Sequence, residues 1–352
     1  MVILGIETSC DETAAALVEQ TGVRERPWRI RANVVASQAA IHREWGGVVP
    51  ELASRQHVRD ICGVVEKALA EAGATLDDVD AVAVTQGPGL VGSLLVGVAF
   101  AKSLAAVRGV PLVPVHHLAG HIESIVLHNG ELPLPAVVLV VSGGHTSLYL
   151  VQSAGHYELL GRTRDDAAGE AYDKVAKLLD LGYPGGPVID RLAKTGNDRA
   201  VALPVTRITH RDRNAPASPG TSDFSYSGLK TAVLRHVEER KAAGAWPLAE
   251  QEVADLCASF QRVVVQSLLD RLFDAARQHG AASVGIAGGV SANSRLRADA
   301  LARGEREAIP VFIPSVSLST DNAAMIAAAG LRRYAAGVRA ERDLNADASL
   351  PL

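Results

Sequence analysis

The feature that most constrains this chain is a pattern of apolar stretches, polar turns and glycine loops that it spells out twice. Residues 2–6 are apolar, Glu7-Thr8-Ser9-Cys10-Asp11-Glu12-Thr13 are polar and residues 14–18 are apolar again, which predicts a hairpin with a functional tip. Pro50 opens a predicted helix over Pro50–Ala72, with Leu52, Ile61, Val65, Ala68 and Leu69 at helical spacing. A strand over 79–84, the loop Gly87-Pro88-Gly89, a helix over 91–107, a strand over 111–115 and a helix bearing His117 and His121 follow.

The second half repeats this grammar from Leu134 onward. A strand over 136–141, the loop Ser142-Gly143-Gly144-His145-Thr146 and a strand over 147–151 restate the hairpin. A strand over 283–287, the loop Gly288-Gly289 and a helix over 291–302 restate the strand, glycine loop and helix. A strand over 311–314 leads through Ser319-Thr320-Asp321-Asn322 to a helix ending near Gly337, as the earlier strand leads to His117. Between these pieces the chain is mainly helical (167–181 and 249–279), with a Pro/Gly/Ser-containing loop over 203–222. The pattern predicts an α/β fold of two lobes around a central cleft, because strand ends at such switch points leave backbone N–H groups free for a ligand.

A length of 352 residues leaves room for two lobes with real cores. The 35 basic and 39 acidic side chains nearly cancel, so bulk charge does not recruit nucleic acid and any RNA contact must come from a local patch. Arg207, His210, Arg211 and Arg213 are one candidate patch, an ordinary solvated loop being the alternative. Aromatic residues make up only 4%, little stacking surface for single-stranded RNA, so positioning an RNA would call for a partner. The 3 cysteines, Cys10, Cys62 and Cys257, are too few and too far apart for a disulfide framework, which suits a reducing cytosol. No charged leader precedes an apolar segment at the N-terminus, and the uncharged stretch 81–101 is interrupted by Gln86-Gly87-Pro88-Gly89, so it reads as strand, loop and buried helix. A cytoplasmic protein without a membrane partner is expected.

Ser142-Gly143-Gly144 and Gly288-Gly289 allow close backbone approach to anionic oxygens, although neither is a Walker A loop or a GxGxxG. One such pair is as well read as a plain turn; two in equivalent places point to a nucleotide phosphate. His117 and His121 share a helix face and can present two imidazoles to one ion. The duplication brings Asp321 toward them, and a His/His/Asp set suits a borderline divalent metal such as Fe(II) or Zn(II) acting as a Lewis acid. The alternative is a chance histidine pair on a polar helix face. Leu118 stands where HExxH carries its glutamate, which disfavours proteolysis.

Several blocks in order along the chain carry a resemblance. They are Gly5-Ile6-Glu7-Thr8-Ser9-Cys10-Asp11-Glu12-Thr13, Gly46-Gly47-Val48-Val49-Pro50-Glu51-Leu52-Ala53-Ser54-Arg55, Gly87-Pro88-Gly89-Leu90, the His117 to His121 stretch and Ser142-Gly143-Gly144-His145-Thr146. Further on come Asp166-Ala167-Ala168-Gly169-Glu170-Ala171-Tyr172-Asp173-Lys174, Tyr183-Pro184-Gly185-Gly186-Pro187, Phe224-Ser225-Tyr226-Ser227-Gly228-Leu229-Lys230, Gly288-Gly289-Val290-Ser291-Ala292-Asn293 and Ser319-Thr320-Asp321-Asn322. Together they closely resemble the TsaD family. The resemblance implies a duplicated actin-like (ribonuclease H-like) fold of the Hsp70/sugar-kinase type. The expected lobes are 1–133 and 134–352, the second with helical insertions over about 157–280 and a last helix packing back on the first.

The implied activity is transfer of a threonylcarbamoyl group from threonylcarbamoyl-AMP to N6 of the adenosine next to the anticodon in tRNA, with release of AMP. By matching positions, His117, His121 and Asp321 resemble the ligands of one divalent metal per subunit, Fe(II) as the native ion and Zn(II) as an alternative. Val140, Val141, Ser142, Gly143, Gly144, Asp173, Gly186, Asp190 and Asn293 resemble an adenylate site for threonylcarbamoyl-AMP, AMP or ATP. Asp11 and Glu12 resemble the acidic hairpin near the reacting groups; one of them is the candidate base, ordering of the hairpin being the alternative. Lys174 reads equally as a phosphate contact or an ion-paired lysine. The implied partners are tRNA, a catalytically silent TsaB-like paralogue and a small TsaE-like ATPase. An actin-like ATPase or phosphotransferase, or a non-catalytic nucleotide-binding scaffold, would share the fold without needing the His117/His121/Asp321 set.

Overall fold

A computed structural model describes all residues except 207, 209–221 and 342. Arg207, His210, Arg211 and Arg213 therefore lie outside the described residues. In chain order the elements are β1 (Val2–Glu7), β2 (Glu12–Gln20), β3 (Trp28–Ser37), α1 (Ala39–Arg43), α2 (Pro50–Ala72), β4 (Ala81–Gly87), α3 (Val91–Arg108), β5 (Leu112–His116) and α4 (His117–Asn129). Then come β6 (Ala136–Val141), β7 (Thr146–Ser153), β8 (His156–Arg162), α5 (Ala168–Leu178), α6 (Gly185–Ala193), α7 (Ser227–Ala242), α8 (Glu250–Gln278), β9 (Ser283–Ala287), α9 (Ser294–Glu307), β10 (Val311–Phe312), α10 (Val316–Ser319) and α11 (Ala323–Ala335).

The chain forms two compact units, one of Met1–Leu132 with Pro314–Leu352 and one of Pro133–Ile313. Each holds a 5-stranded sheet, ordered β3-β2-β1-β4-β5 in the first and β10-β9-β6-β7-β8 in the second. In both, a hairpin joins two antiparallel strands, and the first of these continues into two parallel neighbours. The duplication read from the sequence is thus a duplication of sheet topology. Two strands that the sequence reading did not foresee, β3 and β8, occupy equivalent edges. The helix expected over 291–302 is instead a short 3-10 turn, Gly289–Ala292, followed by α9, whose N-terminus Asn293 caps by accepting from Leu296 N.

Alternation along the first sheet divides its side chains between two layers. Leu4, Ile6, Leu17, Val82 and Val84 face α2 and α3, packing with Ile61, Val65, Ala68, Val98 and Ala101. Ile3, Ala14, Ala16, Ala83 and Val115 face α11, whose Ala323, Ala324, Ala327 and Ile326 form the opposite layer. This helix approaches closely because its contact residues are small: a Cβ on Gly5 would collide with the Ala323 carbonyl. By length and composition α3 could cross a membrane, yet the stripe Leu94, Val98, Ala101 and Ala105 is spent on the core of the first unit. In the second unit α5 and α8 cover one sheet face, with Tyr172, Phe260, Leu268 and Phe273 fully buried against Val137, Leu139 and Val141.

Candidate functional site

In the first unit the functional side chains collect at the C-terminal ends of β1, β4 and β5. Helix α4 starts at once after β5, so His117 is its first residue and His121 lies one turn further along the same face. The imidazole of His116 caps the helix by accepting from Leu118 N at 3.1 Å. Asp321 immediately precedes α11, held there by Asn322, which accepts from Met325 N at 3.0 Å and donates to the Thr320 carbonyl at 2.8 Å. The Asp321 Oδ1 oxygen lies 3.2 Å from His121 Nε2 and 3.6 Å from His117 Nε2. The three residues offer ligand atoms all within 4.8 Å of one another. Ligands at about 2.1 Å around a tetrahedral ion sit roughly 3.4 Å apart, close to the 3.2 Å and 3.6 Å that separate the Asp321 oxygen from the two rings.

A second observation fits a cation. His121 is fully buried, and its Nδ1 has no hydrogen-bond partner among the described residues, while Nε2 faces the Asp321 carboxylate at 3.2 Å. A buried imidazole left so is costly unless something else satisfies it. Two neutral nitrogens and one carboxylate suit a borderline divalent ion such as Fe(II) or Zn(II). Burial also drives the His121 pKa down against the pull of Asp321, which keeps its lone pair available. Burial opposes charge on His117 too, but the carboxylates of Asp321 and Glu7 outweigh it and raise its pKa to about 9.

The acidic hairpin lies at the same end of this unit. Asp11 accepts a backbone hydrogen bond from Gln38 N at 3.0 Å, and Glu12 accepts from Ser37 Oγ at 3.2 Å. Burial, followed by the charges of Asp11 and Asp321, pushes Glu12 well above the ordinary carboxyl pKa. The same causes raise Cys10 well above the usual thiol value, making it a poor nucleophile. The tip is braced by His57 of α2, whose Nε2 lies 2.9 Å from the Cys10 carbonyl and whose Nδ1 lies 2.8 Å from Thr13 Oγ1. Neither His57 nor the Glu7 carboxylate stood out in the sequence as part of this site.

The expected adenylate residues all fall in the second unit, in two groups. Ser142, Gly143 and Gly144 form the turn between β6 and β7, closed by Ser142 N donating to the His145 carbonyl at 2.8 Å. Gly143 and Gly144 are exposed, so their backbone is open to a ligand, whereas the Val140 and Val141 side chains are fully buried. Gly288, at φ +90°, lies against the Val141 carbonyl. In the other group, Asp173 accepts from Gly185 N at 2.7 Å and so fixes the start of α6, leaving Gly186 facing open space. Asp190 accepts from Gln261 Nε2 at 3.1 Å and Ser294 Oγ at 2.9 Å, and Asn293 donates to Gln261 Oε1 at 2.7 Å. These side chains tie α6, α8 and α9 together, and Gln261 is a member that the sequence did not single out. Lys174 pairs with Asp166 at 2.7 Å and Glu170 at 2.8 Å, as an ion-paired lysine would.

The sequence model of the TsaD family, described as tRNA N6-adenosine threonylcarbamoyltransferase, matches residues 29–328. Proteins of that name from Anaeromyxobacter dehalogenans (strain 2CP-1 / ATCC BAA-258) and Moorella thermoacetica are 53% and 51% identical, the first over 98% of both chains and the second over 99% of this chain and 97% of its own. The one from Koribacter versatilis is 49% identical over 100% of this chain and 99% of its own. Among solved structures, full-length HypF in its phosphate- and nucleotide-bound form superposes with a TM-score of 0.56 at 14% identity, covering 94% of this chain and 54% of that one. Component A of the (R)-2-hydroxyglutaryl-CoA dehydratase of Acidaminococcus fermentans gives 0.50 at 15% identity, covering 95% and 99%. These two likenesses concern the fold alone, which is actin-like. With its length matched by a family model and by relatives near half identity, the chain belongs to the TsaD family.

Proposed function

We propose that the protein is an acyltransferase that moves the threonylcarbamoyl group of threonylcarbamoyl-AMP to N6 of the adenosine next to the anticodon in tRNA. The observation that carries this reading is the match to tRNA N6-adenosine threonylcarbamoyltransferases at 49–53% identity over nearly their whole length. The donor is a mixed anhydride with a good leaving group, so no covalent nucleophile is needed and the protein supplies positioning and charge stabilisation. The Cys10 thiol, whose pKa burial and the neighbouring carboxylates raise, is consistent with that.

His117, His121 and Asp321 are the side chains that would hold a divalent ion, Fe(II) being the expected native one and Zn(II) able to substitute. Such an ion would supply positive charge to phosphate or carbonyl oxygens. The Ser142-Gly143-Gly144 turn is assigned to the donor phosphate, and the Asp173, Gly186, Asp190 and Asn293 group to the adenosine moiety. The adenine N6 forms the new C–N bond, the carbamoyl carbon–phosphate oxygen bond breaks, and AMP leaves with the electron pair. N6 loses a proton in the step, and Glu12, with its raised affinity for protons, is the stronger candidate acceptor of the Asp11/Glu12 pair. A TsaB-like paralogue, a small TsaE-like ATPase and a cytoplasmic setting complete the reading. Incubating purified protein and partners with threonylcarbamoyl-AMP and unmodified tRNA, followed by nucleoside mass spectrometry, tests it. Modified adenosine is expected, and its absence rejects the reading.

A further inference from the structure

Glu7, the last residue of β1, is wholly buried and makes no ion pair with a lysine or arginine among the described residues. Its Oε1 accepts from Ser9 N, and its Oε2 accepts from Thr85 Oγ1 at 2.7 Å and lies 3.1 Å from His117 Nδ1. Ser9 Oγ is also 3.2 Å from that nitrogen. The ring is therefore held from two sides at Nδ1, while Nε2 is turned toward Asp321. We propose that Glu7 is a positioning residue for a divalent cation: it fixes His117 as the Nδ1–H tautomer, with the Nε2 lone pair aimed at the ion, and balances charge in a buried site. The inference rests on the reading of His117, His121 and Asp321 as a metal centre.

Two arguments converge. A carboxylate hydrogen-bonded to the far nitrogen of a ligating imidazole fixes its tautomer and orientation and raises its basicity. Charge counting gives the second: two neutral imidazoles and Asp321 leave a divalent ion with one positive charge, and the Glu7 carboxylate cancels it. Burying an unbalanced charge is costly, so this carboxylate and this ion each lower the cost of burying the other. Thr85, reaching from β4, and Ser9 N use the remaining lone pairs of Glu7 and stop the carboxylate from turning away. Its role differs from that of Asp11 and Glu12: the Glu7 carboxylate contacts His117 and acts through that ring.

The test measures cation affinity on the full chain, with Zn(II) and Co(II) as probes in competition with a chromogenic chelator, beside the apo-protein melting temperature. Glu7→Gln is expected to weaken Zn(II) binding by about tenfold to hundredfold and to change the visible spectrum of the Co(II) form, more than any change in apo stability would predict. Unchanged affinity and spectrum in folded Glu7→Gln, with only a lowered apo melting temperature, would show a purely structural residue and overturn the proposal. If Glu7→Gln does not fold by circular dichroism, Thr85→Val decides: weakening by a few-fold supports the proposal and unaltered binding overturns it. His121→Ala separates the two layers of the argument. If wild type and His121→Ala bind the probes equally, the metal centre itself is rejected, and Glu7 with it.

Discussion

The two units have the same strand order but place opposite kinds of chemistry at the tip of the equivalent hairpin. Between β1 and β2 the tip carries Glu7, Ser9, Asp11 and Glu12, and His117, the first residue of α4 after β5, adds to it. Between β6 and β7 the tip is Ser142-Gly143-Gly144, with exposed backbone and no carboxylate. A strand end is rigid and its turn is not part of the core, so each copy of the scaffold can carry its own chemistry without refolding. The first copy gathers carboxylates and imidazoles; the second leaves the backbone of Gly143 and Gly144 exposed.

The sharpest way to break this comparison is to damage one tip and ask whether the other still works. His121→Ala should abolish stoichiometric Zn(II) binding and lower tRNA modification by about a thousandfold or more, while AMP titration by calorimetry stays near wild type. Loss of AMP binding in that variant would mean that the division of labour is wrong. Next in size, Glu12→Gln should slow single-turnover transfer by roughly a hundredfold with cation affinity kept, since it removes a proton acceptor and not a ligand. A rate within a few-fold of wild type would leave Asp11 as the acceptor or reduce Glu12 to ordering the hairpin.

In the second unit, Gly288→Ala combines a backbone conformation that only glycine adopts easily with a Cβ driven into the Val141 carbonyl. A loss of about 1–3 kcal/mol in denaturant unfolding is expected, together with weaker AMP binding and unaltered Zn(II) affinity. The smallest effect concerns Asp166, which joins Lys174 and Lys230 at 2.7 Å and 2.8 Å. Burial raises its pKa, but the two lysines outweigh burial and set it below the ordinary 3.8. Its contribution is therefore complete above the unfolded-chain value and fades as pH falls through the lowered folded value. Asp166→Asn should cost ~1 kcal/mol or less near neutral pH and converge with wild type in strong acid. A difference that grows on acidification would refute that sign.

Much of this was legible because the tips are written in residues with few other uses. Glycine pairs after strands, the HxxxH spacing and the Ser-Thr-Asp-Asn run each mark their place locally. The strands β3 and β8 escaped because they are edges: Arg29 and Arg31 in one and Glu158 in the other blunt an exposed rim, and so weaken the apolar signal that marks a strand. The start of α6 is hidden in Gly185-Gly186-Pro187, which reads as a turn, although proline is tolerated in a first helical turn. The role of Glu7 could not be read at all, since its partners Thr85 and His117 are 78 and 110 residues away. Gln261 escaped for the same reason, being one polar residue inside a 29-residue helix.

The first unit is discontinuous: its sheet is made early in the chain, while Asp321 and the helix that covers the Ile3, Ala83 and Val115 face come after residue 313. A chain made only as far as residue 313 thus holds the second unit's sequence in full and a first unit with one oily face bare. Its histidine pair still lacks its carboxylate at that point. The set of His117, His121 and Asp321 is complete only once residue 321 has been made, and a shortage of chaperones during synthesis should harm the early-made half more than the late one.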